Sequence, residues 1–214
     1  MFPQLSRLCH RMAGQHQTFL FADISGYSRL SEIGGDEVAA EVALRFASVV
    51  SGIAAEHGAE VIKQVGDGVM VRGEEASEMV RLGIRLNGDL GGLPPIHVGI
   101  HTGPAIPRAG DWWGTTVNVA ARVASAAGEG QMLITEATRT AAGDLGPARL
   151  KGLGPIHLKN ISAPVRVYSA SGQKDASQSA VRRVKRERHS LDRPFQLSLF
   201  DWDWRMPGAL ALEV

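Results

Sequence analysis

"AEVIKQVGDGVMVR", residues 59–72, sets two alternating apolar runs on either side of Gly66-Asp67-Gly68. Period-two alternation around an Asp-Gly turn signal predicts a β-hairpin. One residue is out of character: alternation puts Lys63 on the face of Val61 and Val65, which an edge position with a snorkelling stem accounts for. Asp67 at the hairpin tip reads by itself as a turn former.

Working outward, "TFLFADI" (18–24) is a strand by its aromatic and branched content. Its alternation places Asp23 on the face of Phe19 and Phe21, where a carboxylate is costly unless it caps the strand end, is paired or binds a cation. "DEVAAEVALRFASVVSGIAAEHG" (36–58) predicts a long helix with Val38, Val42, Phe46, Val49 and Ile53 on its buried face and Gly58 at its end. In "GGDEV" (34–38), Asp36 has a sufficient role as a helix cap. A helix follows the hairpin from about Ala76 to Leu90, then a strand, "PIHVGIHTG" (95–103), on which His97 and His101 read as ordinary strand histidines.

"DWWGTTVNVAARV" (111–123) turns into a helix at about Thr115, with Asn118 and Arg122 one turn apart on the same stripe. "QMLIT" follows as a strand whose Thr135 can cap a short helix. "GPIHLKNI" and "APVRVYSA" read as a closing strand pair. Hairpins mixed with crossover helices indicate an α+β fold, helices packed on a mixed sheet.

The 214 residues suffice for one domain and an appendage. A formal charge of +1 gives the chain no general affinity for polyanions. Cys9 is the only cysteine, which excludes an internal disulfide and a cysteine metal cluster and fits a reducing cytoplasm. Arg7, His10 and Arg11 interrupt the place where a signal peptide needs an apolar run, and no stretch approaches about 18 uninterrupted apolar residues, so a cytosolic protein without a membrane span is expected. The expected division is an extension over 1–16, a folded domain over 17–170, and a flexible basic linker and tail over 171–214.

"FADISGYS", "IKQVGDGVM" and "GDWWGTTVNVAAR", in this order, resemble the three signature blocks of class III nucleotide cyclase catalytic domains. With "VGIHTG" and "LKNISAPVRVY" the resemblance covers roughly residues 17–170. It implies the ferredoxin-like class III cyclase fold and an adenylate cyclase that converts ATP to 3′,5′-cyclic AMP and pyrophosphate. Two divalent cations, magnesium or manganese, would be held by Asp23, Asp67 and the backbone carbonyl of Ile24. Asn118 matches the residue that orients the ribose and Arg122 the one that stabilises charge on the α-phosphate. Lys63 and Asp111 match the base-reading pair: lysine donates to an adenine ring nitrogen and aspartate accepts from the exocyclic amino group. Guanine presents a carbonyl there, so Asp111 would meet an acceptor with an acceptor. Lys159 matches a lysine that reaches the terminal phosphates, with Lys151 in "RLKGLG" a competing alignment.

Members of this family work as head-to-tail dimers with the site between subunits, so a homodimer with two equivalent sites is implied. A catalytically silent nucleotide-binding module, or a guanylate cyclase, is the alternative. Two departures from the family pattern stand out: Arg72 and Gly73 where apolar residues are common, and a compact "PRAGD" before the tryptophans. In the tail, Gln196, Leu197, Ser198, Leu199 and Phe200 resemble the pentapeptide by which bacterial proteins dock on the DNA-polymerase sliding clamp. An amphipathic segment returning onto the domain is the plainer account.

Overall fold

The computed structural model describes residues 15–88 and 90–172. The pentapeptide at 196–200 and the basic linker lie outside them. The elements are β1 (Gln15–Ile24), α1 (Tyr27–Gly34), α2 (Asp36–Glu56), β2 (Glu60–Val65), β3 (Gly68–Gly73), α3 (Ala76–Leu86), β4 (Ile96–Arg108), β5 (Asp111–Trp113), α4 (Thr115–Ala126), β6 (Met132–Thr135), α5 (Glu136–Ala142), β7 (Arg149–Ile156) and β8 (Val165–Ser171).

The sheet runs β2-β3-β1-β4-β6-β8-β7, antiparallel except where β4 meets β6, and β5 folds back on the far end of β4. Alternation along β1 divides the domain into two layers. Leu20, Ala22 and Ile24 join Val69, Val71, Val98 and Ile100 in the main core, together with Phe46, Val50 and Ile53 of α2 and Val80 and Leu82 of α3. Phe19 and Phe21 face the other way, towards Met70, Ala120 of α4 and Trp112. Helix α4 lies so close to the sheet that a Cβ on Gly99 would come within 2.0 Å of the Ala124 nitrogen, so only glycine admits the helix there.

The hairpin β2–β3 forms as the sequence indicates, turning through Gly66 and Asp67 with Val65 opposite Gly68. Its register differs from strict alternation. A bulge between Val61 and Lys63 sends Val61 to the main core, while Ile62 packs in the Phe19 layer and Lys63 pairs with Met70 of that layer. Lys63 therefore shares a face with Val65 but not with Val61.

Other expectations shift. The buried stripe of α2 is Ala39, Ala43, Phe46, Val50 and Ile53, and Val38 is 47% exposed. Small alanines, with little hydrophobic signal of their own, are what let α2 lie close to its neighbours. Gly35, not Asp36, is the cap position, and Asp36 is the first helical residue, where its charge favours the helix N-terminus. Helix α3 ends at Leu86 rather than near Leu90, and β4 runs on to Arg108. The closing pair is β7 with β8, so Lys151 lies on a strand and Lys159 in the following loop. Thr135 does cap α5, accepting from the Thr138 N–H at 3.3 Å. By length and composition α2 is apolar enough to cross a membrane, yet Phe46, Val50 and Ile53 tie it into the core.

Gly73 has a steric reason. A Cβ there would lie 2.4 Å from the Met79 sulfur, so α3 packs against bare backbone.

Candidate active site

Strand β1 ends by carrying Asp23 to a point opposite Gly68, and the Gly66-Asp67 turn carries Asp67 to the same place. The two carboxyl groups come within hydrogen-bonding reach, and the Ile24 N–H donates to both. Burial first, then the negative charge of Asp67 and a hydrogen bond to it, raise Asp23 to about 7. Burial also raises Asp67, against the opposing effects of the Asp23 hydrogen bond and of His97. Two adjacent carboxylates in a partly desolvated place resist ionising together, so the pair as a whole favours retaining a proton.

Two hard oxygen donors under that repulsion fit a divalent cation, which would relieve it by taking the place of a proton. Among the described residues no group of three or more His, Cys, Asp or Glu side chains could hold a metal ion. Any cation here therefore has to complete its shell from backbone, water or substrate oxygens.

A second pair is assembled by two hairpins. Arg108 pairs with Asp111 across the Ala109-Gly110 turn of β4–β5, and the Asp111 carboxylate is fixed at both oxygens. Oδ1 accepts from the Trp112 N–H at 2.8 Å, and Oδ2 accepts from Lys63 Nζ at 2.5 Å. The bulge in β2 is what aims Lys63 at this carboxylate. Both side chains keep about a quarter to a third of their surface open, 31% for Lys63 and 26% for Asp111, so a planar ligand can reach them.

On α4, Val119, Ala120, Val123 and Ala124 are buried, leaving Asn118 exposed and Arg122 half-buried one turn apart. Lys159 is exposed in the β7–β8 loop, beside the buried Leu158 that anchors it. The fold thus pairs Asp23 with Asp67, pairs Lys63 with Asp111, and presents Asn118 and Arg122 on one helix face.

One neighbour escapes the sequence. His97 lies opposite Asp23 on β4, shares a 3.1 Å hydrogen bond with Ser25 Oγ through Nε2, and has its buried Nδ1 unpartnered. Only the β1–β4 register brings it to the carboxylates, and no local pattern announces that. His101, by contrast, bonds Thr135 Oγ1 at 2.8 Å and is a half-buried strand histidine, held down to about 4 by desolvation.

With this geometry in view, the relatives are informative. Residues 93–169 match the family described as "Adenylate and Guanylate cyclase catalytic domain". A pH-sensitive adenylate cyclase of Mycobacterium tuberculosis is 31% identical over 157 residues, 71% of this chain and 39% of its own length. An adenylate cyclase of Streptomyces coelicolor is 30% identical over 120 residues, 55% of this chain and 32% of its own. Among solved structures, the adenylyl cyclase CyaB from P. aeruginosa superposes with a TM-score of 0.63 at 27% identity, covering 74% of this chain and 95% of that one. Over residues 93–169 the chain carries the adenylate and guanylate cyclase catalytic-domain family match, and its α+β fold is that of the solved class III cyclases. It spans about a third to two fifths of the length of the first curated relatives it matches.

Proposed function

We propose that this domain is an adenylate cyclase acting as a homodimer. The observation that carries the reading is the Lys63–Asp111 pair: a cationic donor and a carboxylate acceptor side by side suit the ring nitrogen and exocyclic amine of adenine. Guanine would leave Asp111 facing a carbonyl, an unpaired acceptor in a partly desolvated pocket. Relatives named adenylate cyclase support the same substrate.

In the reaction the ribose 3′-oxygen loses its proton and bonds to the α-phosphorus. The bond from that phosphorus to the bridging oxygen breaks, and pyrophosphate leaves. Asn118 holds the ribose so that attack and departure are in line, and Arg122 donates to the non-bridging α-oxygens as charge builds on them. Lys159 meets the terminal phosphates. Asp23, Asp67 and the Ile24 carbonyl hold the divalent cations, magnesium or manganese, which when bound activate the hydroxyl and neutralise the triphosphate. In a head-to-tail pair one copy supplies the carboxylates and its partner supplies Lys63, Asp111, Asn118 and Arg122, so each dimer has two equivalent sites.

The reading takes residues 17–170 as the catalytic unit and 171–214 as its tether, and ATP as substrate favours the cytosol. The resemblance of Gln196–Phe200 to a clamp-docking pentapeptide rests on sequence alone and adds no partner. The test is cyclic-nucleotide formation by purified full-length protein, with ATP or GTP, magnesium or manganese, across protein concentration. Cyclic AMP rising more than linearly with protein is the expected result. Preferential cyclic GMP overturns the base assignment, and no product from folded, dimeric protein leaves a nucleotide-binding module.

A further inference from the structure

Arg72 is one of the two departures from the family pattern in the sequence, and its surroundings give it work. Its side chain is 16% exposed. Nε donates to Gln17 Oε1 at 2.5 Å, Nη1 donates to Glu60 Oε1 at 3.2 Å, and Nη2 donates to Glu74 Oε1 at 2.7 Å. Three anchors, one a buried amide on β1, leave the guanidinium plane little freedom. That plane lies over the Trp112 ring, 5.0 Å from its centre, while the Trp112 edge meets Phe19 at 5.8 Å. A cation fixed over one face and an aromatic ring at the edge together hold the indole in one place.

Trp112 is the residue whose backbone N–H fixes Oδ1 of Asp111. The β2–β3 hairpin therefore grips the β4–β5 hairpin at two adjacent points, Lys63 on the Asp111 carboxylate and Arg72 on the neighbouring ring. We propose that Arg72 is a positioning residue for base selection: by clamping Trp112 it sets the direction of the Asp111 carboxylate, and so the preference for an amino-bearing purine over a carbonyl-bearing one. The inference rests on Lys63 and Asp111 being the base-reading pair.

The experiment measures equilibrium binding of 3′-deoxy-ATP and 3′-deoxy-GTP with manganese, and KM and kcat with ATP, for the wild type, Arg72→Met, Arg72→Lys and Trp112→Phe. For Arg72→Met the expected result is an ATP affinity about five- to tenfold weaker, a KM raised to match, kcat within about twofold, and a reduced ATP-over-GTP preference. Arg72→Lys keeps a cation over the ring and should recover part of that preference. A purely structural arginine would lower the unfolding temperature and leave the preference unchanged, which overturns the proposal. Should Arg72→Met fail to fold, Trp112→Phe decides: it retains the N–H and a smaller ring, and an unaltered preference again counts against the clamp. Wild type that prefers ATP yet makes no cyclic product overturns only the enzymatic reading, because the binding ratios still test Arg72. Wild type indifferent to the base, or binding neither nucleotide, overturns the base-reading pair and this inference together.

Discussion

The domain holds two acidic groups in opposite condition. At the Asp23–Asp67 cluster like charges are pressed together, and Asp23 is pushed up to about 7. At Asp111, two strands away, the carboxylate is satisfied at both oxygens by Lys63 and by the Trp112 N–H. A pocket that is complete within its own chain is preorganised for a ligand that inserts between donor and acceptor. A cluster left in mutual repulsion gains most from a ligand that brings positive charge. On the proposed reading, the contrast separates the part of the site that would recognise the base from the part that would react.

The largest expected effect comes from breaking the repulsive cluster. Asp67→Ala should reduce cyclic AMP formation by about a thousandfold or more, and chelation of divalent cations should do the same to the wild type, since the electrostatic contribution to the transition state is lost in both cases. Retention of even a tenth of the activity in Asp67→Ala would show that the cluster is not the reacting half. Arg122→Ala should cost about a hundred- to a thousandfold by the same reasoning.

Mixing these two inactive variants sharpens the division between the halves. If the carboxylates of one copy work with Asn118 and Arg122 of another, random reassociation makes about half the dimers mixed, each with one intact site, so roughly a quarter of wild-type activity should return. A mixture as inactive as its components, with exchange of subunits verified, would place all the residues in one chain. At the satisfied pair the loss should be one of discrimination. Asp111→Ala is expected to lower the ATP-to-GTP ratio of kcat/KM by about ten- to a hundredfold, with cyclic AMP still formed.

Much of this was legible along the chain, for physical reasons that differ residue by residue. Asp23 stood out because period-two alternation on β1 is unbroken and puts it beside Phe19 and Phe21, as the fold has it. Asn118 and Arg122 share a helix stripe that any α-helix would give them. Lys63 was misassigned relative to Val61 because a bulge costs one residue of register and has no signature of its own in "EVIKQV". The α2 stripe was rotated because Ala39 and Ala43 bury little surface individually and are overshadowed by Val38. His97 meets Ser25 and Arg72 meets Gln17 and Glu60 only through the fold, with Glu74 alone close to Arg72 in sequence, so no local pattern reveals either arrangement.

The smallest effect leaves turnover aside and tests whether burial outweighs the Asp67 charge in raising Asp23. His101 lies on the same face of the sheet, where desolvation lowers a base instead of raising an acid. Its folded value of about 4 is below the ordinary 6.5, so the unfolded chain binds the extra proton. Its contribution is present above about pH 6.5 and is lost as pH falls towards 4, on the order of 2–3 kcal/mol. His101→Gln should flatten that acid limb of unfolding stability, followed by denaturant titration between pH 7 and pH 4. Asp23 has the reverse sign: without metal its folded value exceeds the unfolded one, so stability declines as pH rises from about 4 to about 7. Asp23→Asn should remove that second limb, and saturating manganese should mask it in the wild type. If instead Asp67→Asn alone abolishes the rise-dependent limb, the negative charge next door outweighs desolvation at Asp23. The cluster would then be poised for a cation chiefly by its pairing, with burial the lesser cause.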